Sequence, residues 1–405
     1  MGIGGLYLFA FGAWLGTALG NLGLLIMLLA AVADRATLGP RLKSTPWPWL
    51  MALSALTLAA SASLAALSGA PPRTAVFALL QLWCFLLVAW WCGGNTQRAW
   101  RALGLALAGF LLGRLVHAGN QDLGAILRLE RTGLGLPILA FGQYAATALV
   151  AWCLVAPRLW RNTSSRWRPL VAAGWGLVTA LTLEGLVLSQ ARAVWAITLV
   201  LLPLLLWRQW NGARTRQAAS LLALLGGILA VLTLANWDII AGRIATESDT
   251  YHQILAGDWS RVDYSSVGLR IHAWRQGLDL LAERPWLGWG PGSAASLLQA
   301  SADPGIRGLA DFHNLYLDLP IATGLLGSLP FAIGTLLVFR SAARARHAGR
   351  LPQDLYLILA GGLALHFLAS LTNTRVFNPD WAFLWLLLAG IATSPSLHPD
   401  ARAQR

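Results

Sequence analysis

The sequence predicts an all-α polytopic protein that crosses a membrane many times. Of its 405 residues, 57% are hydrophobic and 12% are charged, where soluble domains carry about 25% charged residues. Apolar runs of about 20 residues recur, and each is long enough to cross a hydrocarbon core about 30 Å thick. Backbone in lipid must satisfy its own hydrogen bonds, and these runs lack the alternation of barrel strands, so helices are predicted.

The apolar runs predict about twelve transmembrane helices. Residues 3–33 carry no charge and are too long for one comfortable helix, so a turn at 16–21 is predicted to divide them, although a single span stays open. The later runs lie at residues 47–68, 74–93, 99–117, 136–156, 168–188, 192–207, 217–236, 312–338, 353–372 and 380–394. Without the N-terminal hairpin the number of spans is eleven.

The arginines predict the orientation. They concentrate in the short connections Pro157–Arg168, Trp207–Arg216 and Arg340–Arg350, and such clusters face the cytoplasm. The net charge of +13 is therefore assigned to membrane topology rather than to a nucleic-acid partner. Alternation from these connections places the long polar segment before residue 312 on the opposite side, and both termini inside.

Three domains are predicted: an N-terminal bundle of about nine helices at 1–236, a loop domain at 237–311, and C-terminal helices with a short cytoplasmic tail at 312–405. Asn236–Tyr316 holds nine of the 17 acidic side chains and many prolines and glycines. Within it, apolar residues at helical spacing predict an amphipathic helix over Ser265–Arg284. Ser265 or Ser266 caps its start and Pro285 ends it. A loop this long in an otherwise apolar chain indicates a functional segment.

Three arginines on the non-cytoplasmic side run against the topological rule and need another explanation. Arg192 opens a span, Arg270 lies in the amphipathic helix and Arg375 lies in a short turn. A guanidinium group can donate two parallel hydrogen bonds to phosphate oxygens and stays charged. A cluster of arginines is therefore suited to binding a lipid diphosphate. Arg131, beside Glu130, is interpreted instead as part of a solvated face.

His313, at the return of the loop into the membrane, is the predicted general base. We expect nearby arginines to lower its pKa and keep the imidazole neutral. Glu184 lies inside a span, where a carboxylate is usually paired, and Arg192 or Arg375 is its predicted partner. Asp303 and Asp311 are treated as isolated. No clustered carboxylates or HExxH motif indicate a metal site, and no cofactor is expected.

Five motifs resemble those of the O-antigen ligase and polymerase superfamily. They are Arg192–Trp195, Gly268–Trp274, Arg284–Gly292, His313–Tyr316 and Gly324–Gly327. Together they cover about residues 189–327, and their order and spacing carry the resemblance. The same motifs occur in ligases, polymerases and protein O-oligosaccharyltransferases, so they do not choose among the members.

The resemblance implies a metal-independent, inverting glycosyltransferase of the GT-C type in the bacterial inner membrane, with its active site facing the periplasm. The donor would be a polysaccharide on undecaprenyl diphosphate and, for a ligase, the acceptor a sugar hydroxyl of lipid A–core. Arg192 and Arg270 would hold the diphosphate and His313 would activate the acceptor, while Arg375 is added from topology. Asn314, Trp274 and Gly290 belong to the motifs as supporting residues.

Two other functions stay open from the sequence. An O-antigen polymerase would use the same donor, and its length overlaps that of ligases. A transporter or flippase of a lipid-linked anion would belong to another class. Such proteins often contain inverted repeats and broken helices near the membrane midplane, whereas this chain has one dominant loop and candidate charges at one face.

Overall fold

The computed structural model describes residues 1–67, 73–120, 124, 130–210, 234, 237–257 and 262–400. Across these residues the regular structure is helical, as the apolar runs predict. The α-helices are α1 Gly2–Gly12, α2 Thr17–Ala33, α3 Arg35–Lys43, α4 Trp47–Leu67, α5 Arg73–Gln81, α6 Phe85–Cys92, α7 Thr96–Ala118, α8 Ile138–Asn162, α9 Arg168–Ser189, α10 Arg192–Trp210, α11 Trp237–Leu255, α12 Ser266–Glu283, α13 Ala294–Gln299, α14 Leu315–His347, α15 Gln353–Ala369 and α16 Pro379–Leu397. Short 3₁₀ turns lie at Leu82–Cys84, Ser165–Trp167 and Pro304–Ile306.

Eight helical segments within the described ranges are long and apolar enough to cross a membrane, or nine if α2 and α3, bent by 90°, form one span. Two shorter apolar helices, α1 and α15, accompany them. The chain is thus a polytopic helical protein. The predicted span at 217–236 falls almost wholly outside the described residues, so the total of about twelve stays a prediction.

The N-terminal 33 residues form the predicted hairpin, with its turn slightly earlier in the chain. Helices α1 and α2 are separated by residues 13–16. They pack so closely that a β-carbon on Gly23 would lie 2.5 Å from the Phe9 nitrogen, and one on Gly12 would lie 2.8 Å from the Leu19 β-carbon. With 11 residues, α1 is about 16 Å long and reaches only part of the way across a bilayer.

Helix α16 is the centre of the bundle. In the most apolar 18-residue stretch of α16, 89% of the residues are buried, which is the largest share among the candidate spans. Phe383 meets Phe9 edge to face at 5.7 Å, and Trp385 meets Phe85 at 5.6 Å. Because helix–helix packing in membranes depends on close contact rather than on water exclusion, this enclosure fixes the helices around α16.

Helix α14 is broken at Gly324, and the segment Arg284–Gly292 provides hydrogen-bond partners for the backbone at the break. Gly324 has φ +68°, a left-handed conformation that favours glycine. Four backbone hydrogen bonds join the two segments: Trp289 N to Ile321 O at 2.8 Å, Gly290 N to Ala322 O at 2.9 Å, Leu325 N to Pro285 O at 2.8 Å and Leu326 N to Trp286 O at 3.2 Å. The backbone groups released by the break are thus satisfied by the loop segment.

Gly290 supports this junction between the loop segment and α14. It does not line the cavity that lies between α9, α10 and α12. Its φ is +105°, and a β-carbon there would lie 2.2 Å from the β-carbon of Ala65 on α4. Gly288, Gly290 and Gly292 all have positive φ, so this segment turns tightly. The glycines therefore allow the loop segment to approach α4 and α14 closely.

The amphipathic helix of the loop segment forms almost as predicted, over Ser266–Glu283. The Ser265 side chain accepts a hydrogen bond from Gly268 N, and the helix ends before Pro285. Its apolar side contributes to a small core of its own, formed by Ala273, Leu280, Leu298, Ile306, Phe312 and Ile321. Since Phe312 and Ile321 lie at the start of the C-terminal part, this core anchors the loop segment to the bundle.

Candidate active site

A cavity of about 570 Å³ lies where three parts of the fold meet. Its walls come from the turn between α9 and α10, from the first turns of α12, and from the end of α15 with the turn that follows. Polar side chains form part of the lining: Arg131, Gln143, Gln190, Arg192, Tyr251, Ser266, Arg270, Thr372 and Asn373. The cavity therefore combines an apolar wall with polar side chains that include three arginines.

Arg192 reaches the cavity from the first position of α10. Helix α9 ends at Ser189, and Gln190 adopts a left-handed conformation with φ +47°. The Ser189 hydroxyl accepts a hydrogen bond from Ala191 N at 3.2 Å, so the reversal is short. The first turn of α10 lines the cavity. The positive end of the helix dipole favours an anion at this point.

Arg270 lies on the side of α12 that faces the same cavity. Its Nη1 donates to the Ser266 carbonyl oxygen at 2.6 Å and to the Ser266 hydroxyl at 3.0 Å, which fixes the side chain along its own helix. His272, two positions later, points away: it bonds Val262 O at 2.8 Å and lies 3.3 Å from Asp303. Of the two basic residues in this motif, Arg270 rather than His272 lines the cavity.

His313 lies in a turn that is fixed by hydrogen bonds of the residue before it. Its φ is +54°, an uncommon value for a residue with a β-carbon. The preceding residue, Phe312, is fully buried. Phe312 donates its N–H to the Asp318 carboxylate at 3.1 Å and accepts from Trp274 Nε1 at 2.9 Å. Because Trp274 also lines the cavity, this hydrogen bond connects the His313 turn to it.

Asp311, which was expected from the sequence to be isolated, determines the electrostatics of His313. His313 Nδ1 lies 3.0 Å from the Asp311 carboxylate and 3.0 Å from its carbonyl oxygen. Both partners are acceptors, so Nδ1 carries the hydrogen and Nε2 is left with its lone pair. The hydrogen bond to Asp311 raises the pKa of His313, while burial and the charge of Arg270 lower it less. Arg270 does lower the pKa of His313 as expected, but Asp311 outweighs it, so the expectation of a lowered net pKa is wrong.

A family model described as O-antigen ligase matches residues 177–332. The match supports the O-antigen ligase superfamily. The matched segment contains Arg192, Arg270, Asp311 and His313. The comparison with curated proteins gives no match. The family indicates a glycosyltransferase-like O-antigen ligase or polymerase activity on lipid-linked polysaccharide in a membrane.

Arg131 is a basic residue of the cavity that the sequence assigned instead to a solvated face. It lines the cavity, and its Nε donates to the Ser189 carbonyl oxygen at 3.4 Å. The next residue, Thr132, donates its N–H to Leu188 O at 3.1 Å. These contacts bring the segment against the last turn of α9. Only this tertiary packing distinguishes Arg131 from a solvated arginine, so no local signal marks it.

Arg375 does not join the other arginines at the cavity. It forms an ion pair with Asp380, and the two side chains are 16% and 11% exposed. Thr372 and Asn373, on the same turn, line the cavity in its place. The structure therefore brings together Arg192 and Arg270 but turns Arg375 into a buried pair next to the start of α16.

Glu184 forms no ion pair with Arg192 or Arg375, contrary to the sequence-based expectation. It is exposed on the surface of α9. The packed face of α9 is formed by Thr182, Gly185, Leu186 and Ser189, and Gly185 lies close to Phe141 of α8. Position 184 points to the other side of the helix, which explains the exposure.

Asn314 has a structural contact that accounts for its place beside His313. Its side chain accepts a hydrogen bond from Tyr316 N at 2.9 Å, so it caps the start of α14. Among the described residues, no three His, Cys, Asp or Glu side chains come together as a possible metal site. The expectation that the reaction needs neither metal nor cofactor stays a prediction.

Proposed function

We propose that this protein is a periplasm-facing, GT-C-like glycosyltransferase of the inner membrane that transfers O-antigen polysaccharide from undecaprenyl diphosphate to a sugar hydroxyl of lipid A–core. The proposal depends above all on one observation. Arg192 and Arg270, from separate helices, line the same cavity, and Trp274 links that cavity to the turn that carries His313.

The diphosphate would lie against the first turn of α10. Two guanidinium groups there offer paired donors to its oxygens, and Arg131 lines the same cavity as a third. The helix N-terminus adds N–H groups and a favourable dipole. These groups act most strongly on the negative charge that develops as the sugar–phosphate bond breaks, so they stabilise the leaving diphosphate without requiring a divalent cation.

His313 would act as the general base. Its Nδ1–H is directed at Asp311, so Nε2 is available to take the proton of the acceptor hydroxyl. The acceptor oxygen then forms a bond to the anomeric carbon while the bond from that carbon to the diphosphate oxygen breaks. The proton ends on Nε2, the electron pair ends on the diphosphate, and a single displacement inverts the anomeric configuration.

The direct test is transfer from purified lipid-linked donor to lipid A–core by the purified protein and by His313→Ala. We expect transfer to fall at least 100-fold, since a general base contributes about 10²–10⁴-fold, while binding of the donor changes little. His272→Ala is the matched control, because His272 lies on the loop segment and bonds Val262 and Asp303 instead. Unchanged transfer by His313→Ala would contradict the mechanism.

Two further arms separate the alternatives. Assays with and without a chelator test whether a metal takes part. Deletion strains distinguish ligase from polymerase: loss of a ligase leaves long polymer on undecaprenyl diphosphate, whereas loss of a polymerase leaves lipopolysaccharide with a single repeat. Altered lipid flux with unchanged transfer would indicate a transporter.

A further inference from the structure

Gln143, in the second turn of α8, is a buried polar residue in the wall of the cavity. It is 3% exposed. Its Nε2 lies 2.9 Å from His366 Nδ1 and 3.1 Å from the His366 carbonyl oxygen. Both contacts are made to one residue of α15, so the amide side chain is held firmly against that helix.

These contacts determine which way the amide points. A carbonyl oxygen can only accept, so the group facing His366 O must be the NH₂ of Gln143. The amide oxygen, Oε1, therefore points away from α15. It makes no hydrogen bond to any residue that the structure describes, and Gln143 lines the cavity. Oε1 is therefore open to the cavity, where the hydroxyl of a ligand can donate a hydrogen bond to it.

Within the described residues, the ring nitrogens of His366 form a hydrogen bond only with Gln143. If Gln143 donates to Nδ1, the ring is neutral and its hydrogen is on Nε2, but Nε2 is buried and has no partner within the described residues. The ring is packed against Trp381, with centroids 4.2 Å apart. The polar contacts of this side chain are thus made to Gln143, which it holds in one orientation.

We propose that Gln143 binds a saccharide hydroxyl through Oε1 and that His366 is the residue that positions it. This inference rests on the proposed function, since it assumes that a glycan enters the cavity. A diphosphate offers no hydrogen at neutral pH, so an amide oxygen would not bind it, whereas every sugar offers O–H donors. The hydroxyl belongs either to the donor saccharide or to the acceptor saccharide.

Binding to the purified full-length protein tests the proposal with two lipids: undecaprenyl diphosphate carrying a saccharide, and undecaprenyl diphosphate without sugar. Gln143→Leu removes the acceptor at similar volume. If the donor saccharide is the partner, the variant weakens binding of the saccharide-bearing lipid about tenfold and changes binding of the sugar-free lipid less than twofold. If the acceptor is the partner, both lipids bind as before and the acceptor KM rises about tenfold.

Two variants keep the test interpretable. Thr147→Val is the matched control, because Thr147 is buried one turn along α8 and its hydroxyl bonds the Gln143 carbonyl oxygen rather than the cavity; it should leave all three quantities unchanged. His366→Leu should reproduce the Gln143→Leu pattern with a smaller effect, as a positioning role requires.

The outcomes separate this inference from the proposed function. If the unmodified protein binds neither lipid, the proposed function fails and this inference with it. A second case is that the unmodified protein binds both lipids while Gln143→Leu weakens the binding of both equally, or changes neither binding nor the acceptor KM. Either result would contradict the saccharide contact and leave the diphosphate site intact.

Discussion

Replacement of Asp311 by Asn gives the sharpest test of the His313 assignment. The carboxylate accepts a hydrogen bond from His313 Nδ1 at 3.0 Å and raises the pKa of His313. An amide removes the negative charge and keeps the size. The pKa of His313 should therefore fall, and the acid limb of the pH–rate profile should move to lower pH, because the imidazole loses its proton at a lower pH than before.

The same substitution should reduce the rate at the plateau. A hydrogen bond to a charged group contributes about 1.5–3 kcal/mol net. The two side chains are 30% and 29% exposed, so solvent weakens the pair and the lower part of that range, about 1.5–2 kcal/mol, applies. Since about 1.4 kcal/mol corresponds to a factor of ten, transfer should fall about 10- to 30-fold.

The measurement is the initial rate of polysaccharide transfer across the pH range in which His313 titrates. Asp303→Asn is the control, because it removes the carboxylate next to His272 in the same loop segment and should leave the acid limb in place. An acid limb that stays fixed in Asp311→Asn, or moves to higher pH, would refute the reasoning.

Three further predictions follow from the cavity and the broken helix. Arg192→Ala should weaken donor binding about tenfold, and Arg192→Lys should recover only part of it because an ammonium lacks the planar fork; full recovery by lysine would argue against two-pronged binding. Arg375→Ala should lower thermal stability, because Asp380 loses its ion-pair partner at a cost of about 3–5 kcal/mol. Donor binding by the folded protein should change less than twofold. A large loss of donor binding would instead indicate that Arg375 contacts the diphosphate. Gly324→Ala should lower the Tm markedly, since its β-carbon would lie 2.0 Å from the Trp286 carbonyl oxygen at a positive φ, and an unchanged Tm would contradict the tight junction.

The sequence predicts well those features that depend on local pattern. Within the described residues the apolar runs become helices, and the Ser265 cap and Pro285 bound the amphipathic helix as predicted. The meeting of Arg192 and Arg270 is also predicted, because membrane topology limits both residues to one face. These are the cases in which composition or periodicity acts on one helix at a time.

Features that depend on the packing of distant segments could not be predicted in the same way. Topology places Arg375 on the expected face but says nothing of Asp380, five residues later, which engages it. Asp311 and His313 are two positions apart in a turn with positive φ, where helix or strand spacing gives no guidance. The position of Glu184 depends on which side of α9 packs against α8, and Gln143 acquires its orientation from a helix far along the chain.

The break in α14 has a consequence for how the molecule is assembled. A helix interrupted inside an apolar environment exposes backbone groups that lipid cannot satisfy, and here their partners come from Arg284–Gly292, a segment outside the candidate spans. We therefore expect α14 to reach its final form only once the preceding loop is folded against it. Heating should accordingly melt the loop helix and the bundle in a single cooperative transition, and the excised loop should fail to reproduce its native spectrum.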